Sequence, residues 1–483
     1  MTLFLGGKNK PMNRRGRAKK TSHPSTSMRK TRNPEHRMFA GSTRLDVNGW
    51  IFVRVRGTPY QLGFQHGSLL ANEVGDAIEA VKLIAELGYR RTWQFFCEAA
   101  MNLFWPKLPQ EYKDEIRGIV AGVRANKTGN VRLEDIVALN GYFDILSYHY
   151  WLKAKKAEPT SPLARADHCS AFIATGGATE DGRVVLAHNT WFQYLPGRRY
   201  NTILDVSPAK GTRFVMQTMP GTIASGTDWY LNQTGLIIAE TTITGMTTFN
   251  PNGLPCFLRS RKAIQYSETI DEWVKTMVTE NNGGYADDWL VGDTRTGEIA
   301  RLELGTFNHK LERTRSGAFL GSNLALSDEV RSETTFNYSD RSTTCTARYG
   351  RLEELLRLNK GKLNVEVAKS LLADHHDNYT HADTPNRNTI CGHIESDGRG
   401  LPEWEYGPNY PGGTFDGKIT DSKLVSHRAF WAHWGKPCGA SFAAEPFLVS
   451  HPEYEWQRPR LEDIEAYPWT LFSTSGKRNM IES

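Results

Sequence analysis

No run of apolar residues in this chain approaches the roughly 20 that a membrane-spanning helix needs, so no such helix is expected. Its six cysteines, Cys97, Cys169, Cys256, Cys345, Cys391 and Cys438, include no CxxC pair and no zinc-finger spacing. That scatter neither demands disulfides nor excludes one between Cys391 and Cys438. Internal repeats are not evident. The apolar run Leu3-Phe4-Leu5 falls short of the about 7–15 residues of a signal-peptide core. A cytoplasmic location is therefore expected, with a secreted or lysosome-like one open if Met38 is nearer the true start. Excess charge is missing from the body of the chain as well. The net +6 comes from residues 1–38, which hold eleven Lys or Arg against Glu35 and leave 48 basic and 52 acidic residues elsewhere. Basicity confined to one segment reads as a solvated tail, and no nucleic-acid partner is expected.

What the chain does have is aromatic bulk. Thirteen Trp in 483 residues support a sizeable core, in one large domain or two ordinary ones. Three segments follow from composition: a basic disordered tail over 1–38, a mainly helical part over 39–168, and a core over 169–483. Residues Trp50–Val55 read as a strand. Apolar residues at Leu70, Val74, Ala77, Ile78, Val81 and Ile84 then recur at helical spacing, as do Tyr112, Ile116, Ile119, Val120 and Val123. Lys153–Pro162 interrupts the pattern with charge, Pro, Ser and Thr, as an exposed linker would. Beyond it strands are expected at 169–175, 183–189, 202–207, 213–219, 236–243, 287–293 and 298–304. Helices are expected near 258–281, 346–359 and 364–374. Strands grouped between helices favour an α+β layered architecture. From about 377 the chain is rich in Gly, Pro, Asn and Trp and reads as loops.

Chemistry concentrates around Cys169. The runs His168–Ile173 and Val184–Trp191 flank Thr179-Glu180-Asp181-Gly182, whose Asp-Gly pair suits a hairpin turn. Antiparallel pairing brings the far ends of such strands together, so Cys169 and the His188–Trp191 end are expected to share a pocket. A cysteine at a strand start is more often a small buried hydrophobe than a nucleophile. The run Asp374-His375-His376-Asp377, with His381, Asp383 and His393, carries metal-capable side chains at a spacing that fits no standard site, so no metal is expected.

Several pieces occur in a particular order: Gly57–Gly67, the Cys169–Trp191 hairpin, Asp228–Ile243, Asp287-Asp288-Trp289, Gly321-Ser322-Asn323, Ala347-Arg348-Tyr349, Thr389-Ile390-Cys391 and Gly417–Leu424. Together they resemble the phospholipase B-like family of N-terminal-nucleophile hydrolases, and more distantly the penicillin acyltransferase and choloylglycine hydrolase branches. The resemblance implies a four-layer αββα sandwich. It also implies self-cleavage at the His168–Cys169 bond, with the freed Cys169 as nucleophile and its own α-amine as base. On the same grounds Asn323 is the candidate oxyanion donor, with Thr242 as a second. His188 would orient the thiol, and Arg348 would stabilise charge beside it. Trp191 stands where the choloylglycine branch has Asp, which argues against bile-salt or penicillin chemistry. The implied substrate is a small acyl amide or ester, lipid-derived by the family's name, with no cofactor. Transfer of the acyl group to an amine, and a non-catalytic binding protein on the same fold, stay open as alternatives.

Overall fold

The computed structural model describes residues 38–127, 130–156, 168–474 and 481–482. The basic tail and most of the linker ahead of Cys169 lie outside these. Two sheets make up the interior. The first has nine strands in the order β1 (Thr43–Val47), β2 (Trp50–Gly57), β5 (Thr202–Pro208), β6 (Phe214–Thr218), β7 (Tyr230–Asn232), β8 (Leu236–Thr242), β9 (Asp287–Asp293), β10 (Glu298–Leu304) and β11 (His309–Thr314). The second has seven, in the order β12 (Gly317–Gly321), β3 (His168–Gly176), β4 (Gly182–Gln193), β13 (Gly412–Asp421), β14 (Ala429–Trp434), β15 (Thr470–Ser473) and β16 (Ile481–Glu482). Every ladder is antiparallel except β2 with β5. The sheets face each other through β3 and β4 against β8 and β9, where Ile173, Val184, Leu186, Ile237 and Val291 are fully buried. Helices Ile270–Val278 and Pro59–Leu69 cover one outer face; Thr344–Leu358 and Val365–Leu372 cover the other. The α+β, four-layer αββα expectation is met.

The stretch Gly57–Gly67 is mostly helix, Pro59–Leu69, and its start is fixed locally. Thr58 and Gln61 form a reciprocal capping box, and Pro59 occupies the first turn, where its missing N–H costs nothing. Its packing on helix Gln110–Ala125 depends on four glycines. A Cβ at Gly63 or Gly67 would sit 1.8 Å from Glu115 O or 2.1 Å from Ile119 O. One at Gly118 or Gly122 would meet Tyr60 O at 2.4 Å or Phe64 O at 2.3 Å. The backbones therefore touch, and the buried pair Arg261–Glu115 (2.8 Å) closes the same region.

Most strand expectations hold to within a residue or two. The helix read over 258–281 is two, Cys256–Tyr266 and Ile270–Val278, parted where Thr269 caps the second through Glu272 N. The loop-rich reading beyond 377 needs correction: β13, β14 and β15 lie there, and β13 is the central strand of the second sheet. Its run Gly-Gly-Thr-Phe-Asp-Gly-Lys-Ile-Thr-Asp looks polar because its buried charges, Asp416 and Lys418, neutralise each other at 2.8 Å.

Candidate active site

The hairpin β3–β4 sets the site. Its register pairs Cys169 with Thr190 and Ala171 with His188, so the start of one strand meets the end of the other. β12 lies on the opposite side of β3 and ends with Gly321 against Ala171. Two residues further, Asn323 turns back in a left-handed conformation (φ 72°), which Asn tolerates better than most residues. Its Oδ1 accepts the Cys169 backbone N–H at 3.3 Å, and its Nδ2 donates to Thr242 O at 2.8 Å.

Arg348 comes from helix Thr344–Leu358, whose N-cap Thr343 accepts from Thr346 N. The guanidinium is fully buried and divides its donors among Cys169 O (2.6 Å), Ser170 Oγ (3.0 Å), Asn323 Oδ1 (2.7 Å) and Thr344 Oγ1 (2.9 Å). Its carbon lies 4.3 Å from the centre of the Trp191 ring, a cation–π contact in a dry site. Burial brings the Arg348 pKa down to about 10, with the nearby Glu403 carboxylate pulling the other way. The Cys169 backbone is thus gripped at both its N–H and its carbonyl.

Around the thiol, a ring nitrogen of His188 and a Glu240 carboxylate oxygen lie within 4.8 Å of Cys169 Sγ and of each other. All three residues are buried. His188 Nε2 faces Glu240 O at 3.1 Å, and a carbonyl can only accept, so the proton is on Nε2. Nδ1 then carries the lone pair, and it has no hydrogen-bond partner among the described residues. Burial first, then the nearby Lys418 ammonium, holds the His188 pKa well below its ordinary value, so the imidazole is neutral. Thr242 uses its carbonyl for Asn323, and its hydroxyl lies 3.1 Å from Tyr285 OH and 3.4 Å from Glu240 Oε2.

All five residues singled out from the sequence therefore meet at one place, with the His168–Cys169 bond at its edge. Sequence reasoning missed Glu240, Tyr285 and the Lys418–Asp416 pair. Lys418 is fully buried, bonded to Thr190 Oγ1 and Gln217 Oε1 at 2.5 Å each and to Asp416. Burial lowers its pKa, while Asp416 and negative charge at Cys169 raise it. A charged pair inside a strand with β alternation was the available signal. Next to Thr242 a cavity of about 20 Å³ is lined by Phe143, Leu146, Ile243, Met246 and Tyr285. Larger surface clefts of about 530 and 580 Å³ lie away from Cys169, beside Arg44 and Lys82.

The model of the phospholipase B family matches residues 90–307, a span that contains Cys169, His188, Glu240 and Thr242. Over this span the chain is similar to the phospholipase B family. An uncharacterized protein of Archaeoglobus fulgidus is 27% identical over 256 residues, which cover 51% of this chain and 42% of that protein. Phospholipase B of the snake Crotalus adamanteus is 24% identical over 301 residues, 56% of this chain and 52% of its own. The chain thus spans about half the length of the curated relatives it matches. Among solved structures, penicillin V acylase from Agrobacterium tumefaciens aligns over 55% of this chain and 83% of its own, at 13% identity and a TM-score of 0.29. The phospholipase B-like match ends before Asn323 and Arg348, which enter the site through the second sheet and its covering helix.

Proposed function

We propose that this chain is a self-processing cysteine hydrolase that cleaves an acyl amide or ester bond through an acyl-enzyme on Cys169. The observation that carries the reading is the double grip on the Cys169 backbone by Asn323 and Arg348, with His188 and Glu240 beside the thiol.

In the uncut chain the α-amine is still an amide and cannot act as a base. His188 Nδ1, neutral and holding a lone pair, takes the thiol proton instead. Sγ adds to the His168 carbonyl carbon. The bond to the Cys169 nitrogen breaks as that nitrogen takes up the proton, and a thioester remains. One water hydrolyses it, leaving a carboxylate on His168 and a free amine and thiol on Cys169, in fragments 1–168 and 169–483. Asn323 Oδ1 and the Arg348 contact to the Cys169 carbonyl keep the new terminus in place.

In the mature protein the α-amine, with a reference pKa of about 8, takes the thiol proton as Sγ attacks the substrate's acyl carbon. It then returns the proton to the leaving amine or alkoxide, and water releases the acid. Asn323 Nδ2 and the Thr242 region supply the oxyanion donors, an electrostatic contribution of about 3 kcal/mol. A lipid-derived acyl group is in line with the phospholipase names of the relatives.

The test is intact mass and N-terminal sequencing of wild type beside Cys169→Ala, followed by acyl release from a phospholipid and from an N-acyl amine. A fragment starting at Cys169 in wild type alone, with free fatty acid as product, is the expected result. Both chains remaining whole would overturn self-processing and favour the binding-protein reading. Acyl transfer to an added amine at the expense of free acid would replace hydrolysis by transferase chemistry.

A further inference from the structure

Some way along the second sheet from Cys169, four side chains converge that the catalytic reading does not use. His375 follows helix Val365–Leu372, Cys391 and His393 lie in the loop before β13, and Cys438 lies in the turn after β14. One nitrogen or sulfur from each falls within 4.8 Å of all the others. His393 Nε2 is 3.8 Å from Cys391 Sγ and 3.6 Å from Cys438 Sγ. A tetrahedral zinc ion with Zn–S near 2.3 Å and Zn–N near 2.0–2.1 Å places its sulfur and nitrogen ligands about 3.6 Å apart. The donors already have the spacing of a coordination shell.

Two further features point the same way. His375 Nε2 is buried with no hydrogen bond of normal geometry among the described residues, and the His375 side chain interacts with that of Cys438 inside the cluster. His393 meets the thiols with Nε2 while its Nδ1 lies 3.1 Å from Glu395 Oε1 and 3.2 Å from Lys436 Nζ, and Glu395 is itself paired with Lys436. With Nδ1–H donated to that carboxylate, the Nε2 lone pair faces the two sulfurs. This is the carboxylate–histidine relay that fixes the tautomer of metal-bound histidines.

We propose that His375, Cys391, His393 and Cys438 form a four-coordinate Cys₂His₂ site for a thiophilic divalent cation, zinc being the best match. Two thiolates balance the ion's charge, and four protein ligands leave no open position, so the site is structural. Its effect is to tie three loops together. The loop it anchors carries Ile390, whose carbonyl accepts from Trp191 Nε1 (3.1 Å) and Asn189 Nδ2 (3.2 Å), and Gly392, where a Cβ would collide with the Trp191 ring. Trp191 in turn supports Arg348.

The full chain, purified without chelator, should carry one zinc ion by elemental mass spectrometry. Refolded with cobalt(II) alone, it should show the visible absorption of a tetrahedral thiolate site. Cys391→Ser and His375→Asn should lose the metal, Glu395→Gln should weaken zinc binding by about 10–100-fold, and Cys169→Ser should keep it. Metal-free protein whose mass is that of a Cys391–Cys438 disulfide would overturn the proposal. So would metal-free protein with all thiols reactive, or zinc that survives in Cys391→Ser and leaves with Cys169→Ser. If Cys391→Ser fails to fold, the cobalt spectrum of the wild-type chain still decides.

Discussion

Replacing Arg348 by Lys keeps the charge and removes the fork. Three guanidinium nitrogens now reach four acceptors: Cys169 O, Ser170 Oγ, Asn323 Oδ1 and Thr344 Oγ1. One ammonium cannot serve acceptors spread across a strand, a turn and a helix. The two hydroxyls can rotate toward other partners, but the Cys169 carbonyl is fixed by the ladder, and Asn323 Oδ1 loses its charged donor while keeping the Cys169 N–H. With about 1–3 kcal/mol for each buried acceptor left unmet, and the Trp191 contact weakened, the loss should be about 3–5 kcal/mol. Cleavage would confound the measurement, so stability is read by urea unfolding in the Cys169→Ala background, with and without Arg348→Lys. Processing is read separately, as the rate of appearance of the Cys169 fragment with Cys169 intact. It should slow by about 100-fold, the effect of a misplacement near 1 Å at a reacting centre. A stability change below about 1 kcal/mol, the level of an exposed ion pair, together with an unchanged processing rate, would refute the reasoning.

Other outcomes follow from the same physics. Gly63→Ala puts a methyl 1.8 Å from Glu115 O, where backbone must move, and should cost about 3 kcal/mol or more in a denaturant titration; an unchanged midpoint would contradict the packing. His66 accepts from Gly221 N at 2.8 Å and is neutral, with burial bringing its pKa from 6.5 down to about 4. Its folded pKa lies below its unfolded one, so the unfolded chain takes the proton first. The stability it contributes, about 3 kcal/mol, is complete above pH 6.5 and is lost as the pH falls toward 4. His66→Gln can accept the same bond without titrating and should flatten that part of the stability profile; an equally steep profile would exclude His66 as its source. Lys418→Met should destabilise by about 3–5 kcal/mol because it strands the buried Asp416 carboxylate. Adding Asp416→Asn should recover most of that loss in thermal melts, and no recovery would mean the pair does not act as a unit.

By itself the sequence determined the local parts of this protein. The apolar runs on either side of Thr179–Gly182 gave the β3–β4 hairpin, and with it the meeting of Cys169 with the His188 end, although the connection is residues 177–181 and Gly182 already pairs with Gly176. Motif order brought Asn323, Arg348 and Thr242 to the same site. Tertiary structure alone decided the rest. Glu240 reaches the thiol from the other sheet, across an interface that no local pattern encodes. β13 looks like a loop because Lys418 and Asp416 are polar in sequence and neutralised only when paired inside the core. The four metal-capable residues lie on three loops, with Cys438 more than forty residues beyond His393, so spacing rules built for contiguous motifs pass over them. Turns and caps are set by neighbours in the chain, whereas charge pairing and ligand shells are set by neighbours in space, and only the packed sheets supply those.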